Sequence, residues 1–310
     1  MSKNNNEHFE KRVRMHIAPG KIRIKENIDM FKCPFCGEGM NFDNLNSLIC
    51  NNNHCFDIAK SGYVNFLLKS LKQKYDKELF ESRNLICKMG FFDPLVEKMA
   101  CLIAKNVSRS AADGLNHIRI LDAGCGEGYH LSEIIKKLQE KDNIDLQGAG
   151  IDISKYGIQL ASKNHKDIIW CVADIAKIPF LDNKFDIVLN ILSPANYSEF
   201  GRVIRSNGLL IKAVPNSGYL KELRNKLYQG TDKEAYSNEK VIEHFSRYFE
   251  IREIKSVLYK VSISKEELNH LIKMTPLSWG AAEEMIEKAS DSKIENITAD
   301  FTIIIGKSRL

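Results

Sequence analysis

The sequence predicts an α/β protein, a doubly wound and mainly parallel sheet with a small cysteine-rich module ahead of it. Three observations carry this. Short apolar runs alternate with helix-like segments from about residue 90 onward. One run ends in an acid and a turn with every second residue a glycine, Asp122-Ala123-Gly124-Cys125-Gly126-Glu127-Gly128. Four of the eight cysteines, Cys33, Cys36, Cys50 and Cys55, fall in one short window.

The frame is ordinary. A chain of 310 residues can hold one large domain and a small one. Hydrophobic content of 44% and charged content of 27% suit a globular protein. No apolar run approaches the ~20 residues of a membrane span. Met1 to Glu10 is polar and has no secretion-signal core, so a cytoplasmic location is expected. A net charge of +5 is compatible with a polyanionic partner without demanding one.

In a cytoplasmic chain a cysteine cluster points to metal rather than to disulfides. Cys33-Pro-Phe-Cys36-Gly37 has the two-residue gap of a zinc knuckle, and Cys50-Asn-Asn-Asn-His54 closes the set. Cys33, Cys36, Cys50 and His54 are the expected tetrahedral ligands, with Cys55 competing with His54 for the fourth place. All four positions are filled and no water-activating partner is evident, so the zinc is expected to be structural. The other cysteines (Cys87, Cys101, Cys125, Cys171) sit in apolar surroundings and read as small core residues.

The flanks of this module are basic. Lys60, Lys69, Lys72, Lys74 and Lys77 are interleaved with Tyr63, Phe66 and Tyr75. Lysines neutralise phosphates and aromatic rings stack on exposed bases, although a solvated linker has the same composition. Lys11, Arg12, Arg14, Lys21, Arg23 and Lys25 make the N-terminus basic as well. The expected division is a flexible basic extension over 1–30, a zinc ribbon over 31–68, a basic linker and helix over 69–90, and the sheet domain over 91–310.

Within that domain, Asp76 to Met89 reads as a helix stopped by Gly90, and a second begins at Asp93 or Pro94. Strands are expected near 118–122, 148–152 and 168–172, then over Lys184–Ile191 and Gly208–Val214. Runs at about 251–260 and Asp300–Lys307 suit a terminal antiparallel hairpin. The glycines Gly124, Gly126 and Gly128 allow close approach of backbone to a ligand at a helix start. A dinucleotide loop would be Gly-x-Gly-x-x-Gly. The acid before this loop instead suits a ligand bearing an amino group, most simply S-adenosylmethionine (SAM). Asp152 ends the next strand, where a carboxylate would accept ribose hydroxyls, with Ser154 capping the helix that follows. Asp174 ends the third strand and could reach the adenine amine or merely cap a helix. The predicted fold is therefore a Rossmann-like SAM-dependent methyltransferase sheet behind a zinc ribbon.

These residues resemble the RlmA/TlrB family of 23S ribosomal RNA guanine-N1 methyltransferases. The matching stretches are Cys33–Cys36, Cys50-x3-His54, Phe56–Asn65, Asp122–Gly128, Asp152–Lys155 and Met274–Trp279. The resemblance runs from about Lys32 to the C-terminus. It implies zinc on Cys33, Cys36, Cys50 and His54, and cofactor contacts at Phe92, Gly126, Glu127 and Tyr219. The family commonly has a polar ring at the positions of Phe92 and Tyr219, and Phe92 lacks the hydroxyl. The linker departs from the family in being shorter and rich in lysine, with Tyr75-Asp76 at its turn, so bidentate arginine contacts to RNA are lost there. The resemblance also implies a homodimer. In this family ribosome methylation is compatible with antibiotic resistance as well as housekeeping, and the sequence does not separate the two.

The implied reaction passes a methyl group in line to guanine N1, and the enzyme mostly supplies proximity and orientation. No residue declares itself as a base. The fourth strand ends in Asn190-Ile-Leu-Ser193-Pro194, unlike the motif used on exocyclic amines, and no Pro-Cys nucleophile follows it. Asn190, Ser193 and Trp279 are candidates to position the guanine. Two other readings stand beside this one. One is a SAM enzyme acting on a small molecule or protein; the basic flank speaks against it. The other is an RNA-binding protein that has lost SAM; the intact glycines and Asp152 speak against that.

Overall fold

The computed structural model describes residues 18–43, 46–67, 77–111, 117–141, 145–232, 234 and 236–309. Helix α1 (Pro19–Glu26) leads into a ribbon of β1 (Met40–Asp43), β2 (Ser47–Cys50) and β3 (Cys55–Asp57), paired antiparallel. Next come β4 (Tyr63–Asn65), α2 (Lys77–Lys88), α3 (Asp93–Ala111), β5 (His117–Ala123), α4 (Tyr129–Lys141) and β6 (Asp145–Asp152). They are followed by α5 (Lys155–Asn164), β7 (Ile169–Val172), β8 (Phe185–Ile191), α6 (Tyr197–Val203) and β9 (Ile204–Pro215). The chain closes with α7 (Lys221–Tyr228), α8 (Glu239–Tyr248), β10 (Phe249–Ser262), α9 (Lys265–Met274), α10 (Glu283–Ser290) and β11 (Asn296–Ser308).

Among the described residues the main sheet has eight strands in the order β10-β11-β9-β8-β5-β6-β7-β4. From β9 to β4 neighbours run parallel, and β11 and β10 add antiparallel, as the terminal hairpin predicts. The central strands are apolar on both faces because helices cover both. In β5, Ile118, Ile120, Leu121 and Ala123 are all buried. The chain winds one way from β5 through β6 to β7 and then crosses back to β8. That reversal opens a crevice at the carboxyl ends of β5 and β8, where α/β sheets bind ligands.

Two expectations are corrected on the N-terminal side. Residues 18–30 are not a flexible extension: Ile24 and Met30 are fully buried, and Asp29 pairs with Arg119 and Lys184 at 3.4 and 3.2 Å. The contact that seats α1 is backbone against backbone, since a Cβ on Gly20 would lie 2.7 Å from the carbonyl oxygen of Gly62. The ribbon is also joined to the sheet. β4 leaves it to pair with β7, Tyr63 opposite Trp170, and Phe31 packs on Phe180 at 5.2 Å between ring centroids. The ribbon residues Met40, Leu48 and Phe56 share one core with sheet residues such as Leu121 and Ile151, so apolar burial supplements whatever metal contributes. Finally, Tyr63 and Phe66 are buried and cannot stack on an RNA base. Lys60 is exposed. Lys69, Lys72, Lys74 and Tyr75 lie outside the described residues, as do Lys11, Arg12 and Arg14.

Candidate cofactor cavity and zinc cluster

The ribbon brings Cys33, Cys36, Cys50 and His54 together, with all four ligand atoms within 4.8 Å of one another. Two turns place them. Gly37 takes φ +81° after the Cys-x2-Cys knuckle, and Asn53 takes φ +60° so that His54 folds back. Cys36 Sγ lies 3.6 Å from Cys50 Sγ, and His54 Nδ1 lies 3.5 and 3.4 Å from Cys33 and Cys50 Sγ. A tetrahedral zinc with ~2.3 Å bonds to sulfur needs edges of about 3.8 Å, so these residues fit the ion. The backbone N–H of Glu38, then Asn52, pull the Cys36 thiol down to about 6, toward the thiolate a metal requires. Cys55 is exposed and outside the cluster, which decides the fourth position for His54.

A cavity of about 600 Å³ opens at the carboxyl ends of β5, β6, β7 and β8, within the usual range for a cofactor site. Of the expected site residues, Gly124, Gly126, Asp152, Asp174, Phe92, Tyr219 and Ser193 line it. The loop glycines take φ of +88°, +57° and +83° at Gly124, Gly126 and Gly128, angles that a side chain strains to adopt. Asp152 is bound from behind, accepting from the Gly126 N–H at 2.9 Å and the Ser154 N–H at 2.7 Å. Burial raises its pKa, opposed by those two N–H donors. Ser154 also caps α5, accepting from the Gly157 N–H at 3.2 Å, as expected. Ile153 and Ile175 follow the two acids on the cavity wall and give it an apolar surface suited to a purine face.

Other expected contacts are not made by the wall. Glu127 is buried away from the cavity; its carboxylate accepts from Arg83 Nε at 3.0 Å and from the Cys87 thiol at 3.5 Å. Gly128 serves packing, since a Cβ there would lie 2.5 Å from the Trp170 ring. Asp122 does not face a ligand either. It is 1% exposed, burial pushes its pKa up to about 8, and Oδ1 has no hydrogen-bond partner among the described residues. Asn190 is fully buried: its amide donates to Ala123 O at 2.8 Å, Ser193 Oγ at 2.6 Å and Pro194 O at 2.9 Å. It therefore cannot touch a guanine. Ser193 lines the wall, but its hydroxyl donates to Ala123 O at 2.9 Å. Trp279 is 38% exposed and off the wall, while Met274, Thr275, Pro276 and Leu277 just before it are on it.

Residues 31–73 match the family described as "RlmA, N-terminal", and residues 115–289 match "Methyltransferase domain". YxjB of Bacillus subtilis, named provisionally as a 23S rRNA (guanine-N(1)-)-methyltransferase, is 42% identical over 288 residues, covering 91% of this chain and 99% of its own length. The chain belongs to the RlmA family of methyltransferases. The 23S rRNA (guanine(748)-N(1))-methyltransferase of Streptomyces fradiae is 26% identical over 257 residues, 82% of this chain and 88% of its own. SAM and a structural zinc ion are the cofactors of this RlmA-family chain, and the residues present fit both.

Sequence reasoning missed four polar residues around the cavity: Arg83, Arg224 and Tyr236 on its wall, and Lys212 beneath it. Arg224 lies over the Tyr236 ring at 5.2 Å. Arg83 sits on a helix that reads as a basic linker, and Lys212 on an apolar strand, so no local pattern marks either. No helix of the described residues is long and apolar enough to cross a membrane.

Proposed function

We propose that this chain transfers a methyl group from SAM to N1 of a guanine in a 23S rRNA hairpin. The observation that carries the reading is the end-to-end match to a relative named for that reaction. The geometry supports it by placing a SAM-sized cavity and a zinc-type ribbon on one shared core. Cys33, Cys36, Cys50 and His54 hold the zinc and thereby fix the ribbon, the part of the chain nearest to its basic flanks. Asp152 accepts from the ribose hydroxyls and Asp174 from the adenine amine, while Ile153 and Ile175 flank the purine. Phe92 and Tyr219 pack beside the remainder of the cofactor.

When bound, SAM supplies an electrophilic methyl group on a positively charged sulfur. Guanine N1 carries a proton at neutral pH, and its lone pair becomes available only as that proton leaves. Neither Asn190 nor Ser193 takes it, because both side chains are spent on holding the strand end. Their work is positional: they fix the Leu192-Ser193-Pro194 wall against which the base is oriented. Trp279, exposed just past the wall, offers a ring on which an incoming base can stack. The test is transfer of labelled methyl from SAM to unmodified 23S rRNA by the purified protein. Label recovered in N1-methylguanosine is the expected result. No transfer to naked RNA or ribosomal particles, by protein that binds SAM and zinc, would overturn it.

A further inference from the structure

The glycine loop, Asp152 and Asp174 account for the nucleoside end of the cofactor. They leave open what receives the carboxylate at its other end. Arg83, on α2, lines the same cavity. Its guanidinium lies over Gly126, where a Cβ would stand 3.5 Å from Cζ and 3.7 Å from Nη2. One edge of the group is anchored: Nε donates to Glu127, and Nη2 lies 3.5 Å from His130 Nδ1. His130 is buried and neutral, its pKa pulled down to about 3 by burial, so it accepts from Nη2 rather than repelling it. The other edge is not anchored, for Nη1 has no hydrogen-bond partner among the described residues. The Arg83 charge opposes the rise in pKa of both Tyr219 and Asp152, two residues of the same cavity wall.

From this geometry we infer that Arg83 binds the α-carboxylate of the methionyl group of SAM, with Glu127 as the positioning residue that aims it. The chemistry fits. A guanidinium is planar and always charged, and its free edge matches a carboxylate. Glu127, buried at 2% exposure and gripping Nε, restricts the side chain to the rotamer that faces the cavity. Gly126 is then needed for its backbone angle, φ +57°, and a Cβ there would meet the guanidinium only at ordinary van der Waals distance. The α2 helix thus belongs to the cofactor site rather than to a linker. The inference rests on reading the cavity as a SAM site and not on the identity of the RNA.

The test is a calorimetric cycle with two ligands and two proteins, SAM and decarboxylated SAM against the wild-type chain and Arg83→Met. The two ligands differ only in the carboxylate. The wild-type chain is expected to bind SAM roughly 10- to 100-fold more tightly than the decarboxylated form. Arg83→Met should lose that preference through weaker binding of SAM, with the decarboxylated ligand held within about 2-fold. Arg83→Lys keeps the charge but not the fork, and should retain an intermediate preference. It replaces Arg83→Met in the cycle if the latter shows no cooperative unfolding. Equal weakening of both ligands, or no change for either, would overturn the inference while leaving the SAM reading intact. Failure of the wild-type chain to bind either ligand would instead overturn the SAM reading itself.

Discussion

Lys212 and Asn190 meet end to end beneath the cavity. The lysine ammonium donates to the Asn190 side-chain carbonyl and, at 3.1 Å, to the backbone carbonyl of Ser193. Together they hold a turn in which Leu192 takes φ +53°, an angle that costs a side chain about 1–2 kcal/mol. The lysine is 4% exposed, and burial lowers its pKa to about 8, so it remains mostly charged at neutral pH and donates to both carbonyls as an ammonium. Lys212→Met leaves both acceptors unpaired. We expect a loss of roughly 1–3 kcal/mol in stability and a methyl-transfer rate at least about 10-fold lower, with SAM affinity little changed. Urea unfolding and single-turnover kinetics check both. An unchanged rate would show that the 192–194 wall does not orient the substrate.

The zinc assignment separates two neighbouring cysteines. Metal analysis of the purified protein should find one zinc per chain in the wild type and in Cys55→Ser, and none in Cys50→Ser. Because the ribbon shares its core with the sheet, the metal-free variant should keep a folded sheet while β1 to β3 lose protection from proteolysis. Loss of zinc in Cys55→Ser would contradict the geometry of the cluster.

Asp122 gives a pH dependence with a definite sign. Its pKa is raised from 3.8 to about 8 by burial, so the folded chain holds a proton that the unfolded chain releases. The contribution is fully present below the unfolded value and is lost as pH rises through the folded one. Between about pH 4 and pH 8, stability should fall relative to Asp122→Asn by up to about 1.4 kcal/mol per pH unit. Urea midpoints of the two proteins across that range test it. A difference independent of pH would mean that Asp122 is ionised in the fold.

Two glycines with positive φ should respond unequally. A Cβ at Gly62 would lie 2.8 Å from Gly20 Cα, whereas one at Gly230 meets nothing within 4 Å. Gly230→Ala should cost only the conformational penalty, about 1 kcal/mol. Gly62→Ala should cost more, about 2 kcal/mol or above, and release α1 to proteolysis. Thermal unfolding and limited digestion distinguish the two, and equal costs would show that the α1 contact adds no stability.

Much of the site was legible because its signals are local. The Gly-x-Gly-x-Gly turn, an acid at the end of β6 and another just beyond β7, and the Cys-x2-Cys with Cys-x3-His spacing each state their chemistry within a few residues. What was not legible depends on contacts between distant segments. α1 looks like a solvated basic tail because its buried residues are Gly20, set against Gly62, and Ile24, too few to make an apolar pattern. β4 has three residues, too few for a periodicity, and is fixed by pairing with β7 across a hundred residues of chain. Tyr63 and Phe66 resemble stacking aromatics until the fold buries them. Asn190 resembles a substrate contact until Lys212, Ala123 and Pro194 exhaust its amide. Asp122 and Asp152 illustrate the limit: both acids end strands, yet only the second faces the cavity.

The central claim is that the chain methylates guanine N1 in 23S rRNA, and mass spectrometry of that RNA tests it most directly. Nuclease fragments are compared from cells with the gene intact, deleted and restored. The account predicts one guanosine-containing fragment that loses a methyl group on deletion and regains it on restoration, with the modified nucleoside identified as N1-methylguanosine. A fragment map unchanged by deletion, or a lost methyl group at any other position on the base or ribose, would contradict it.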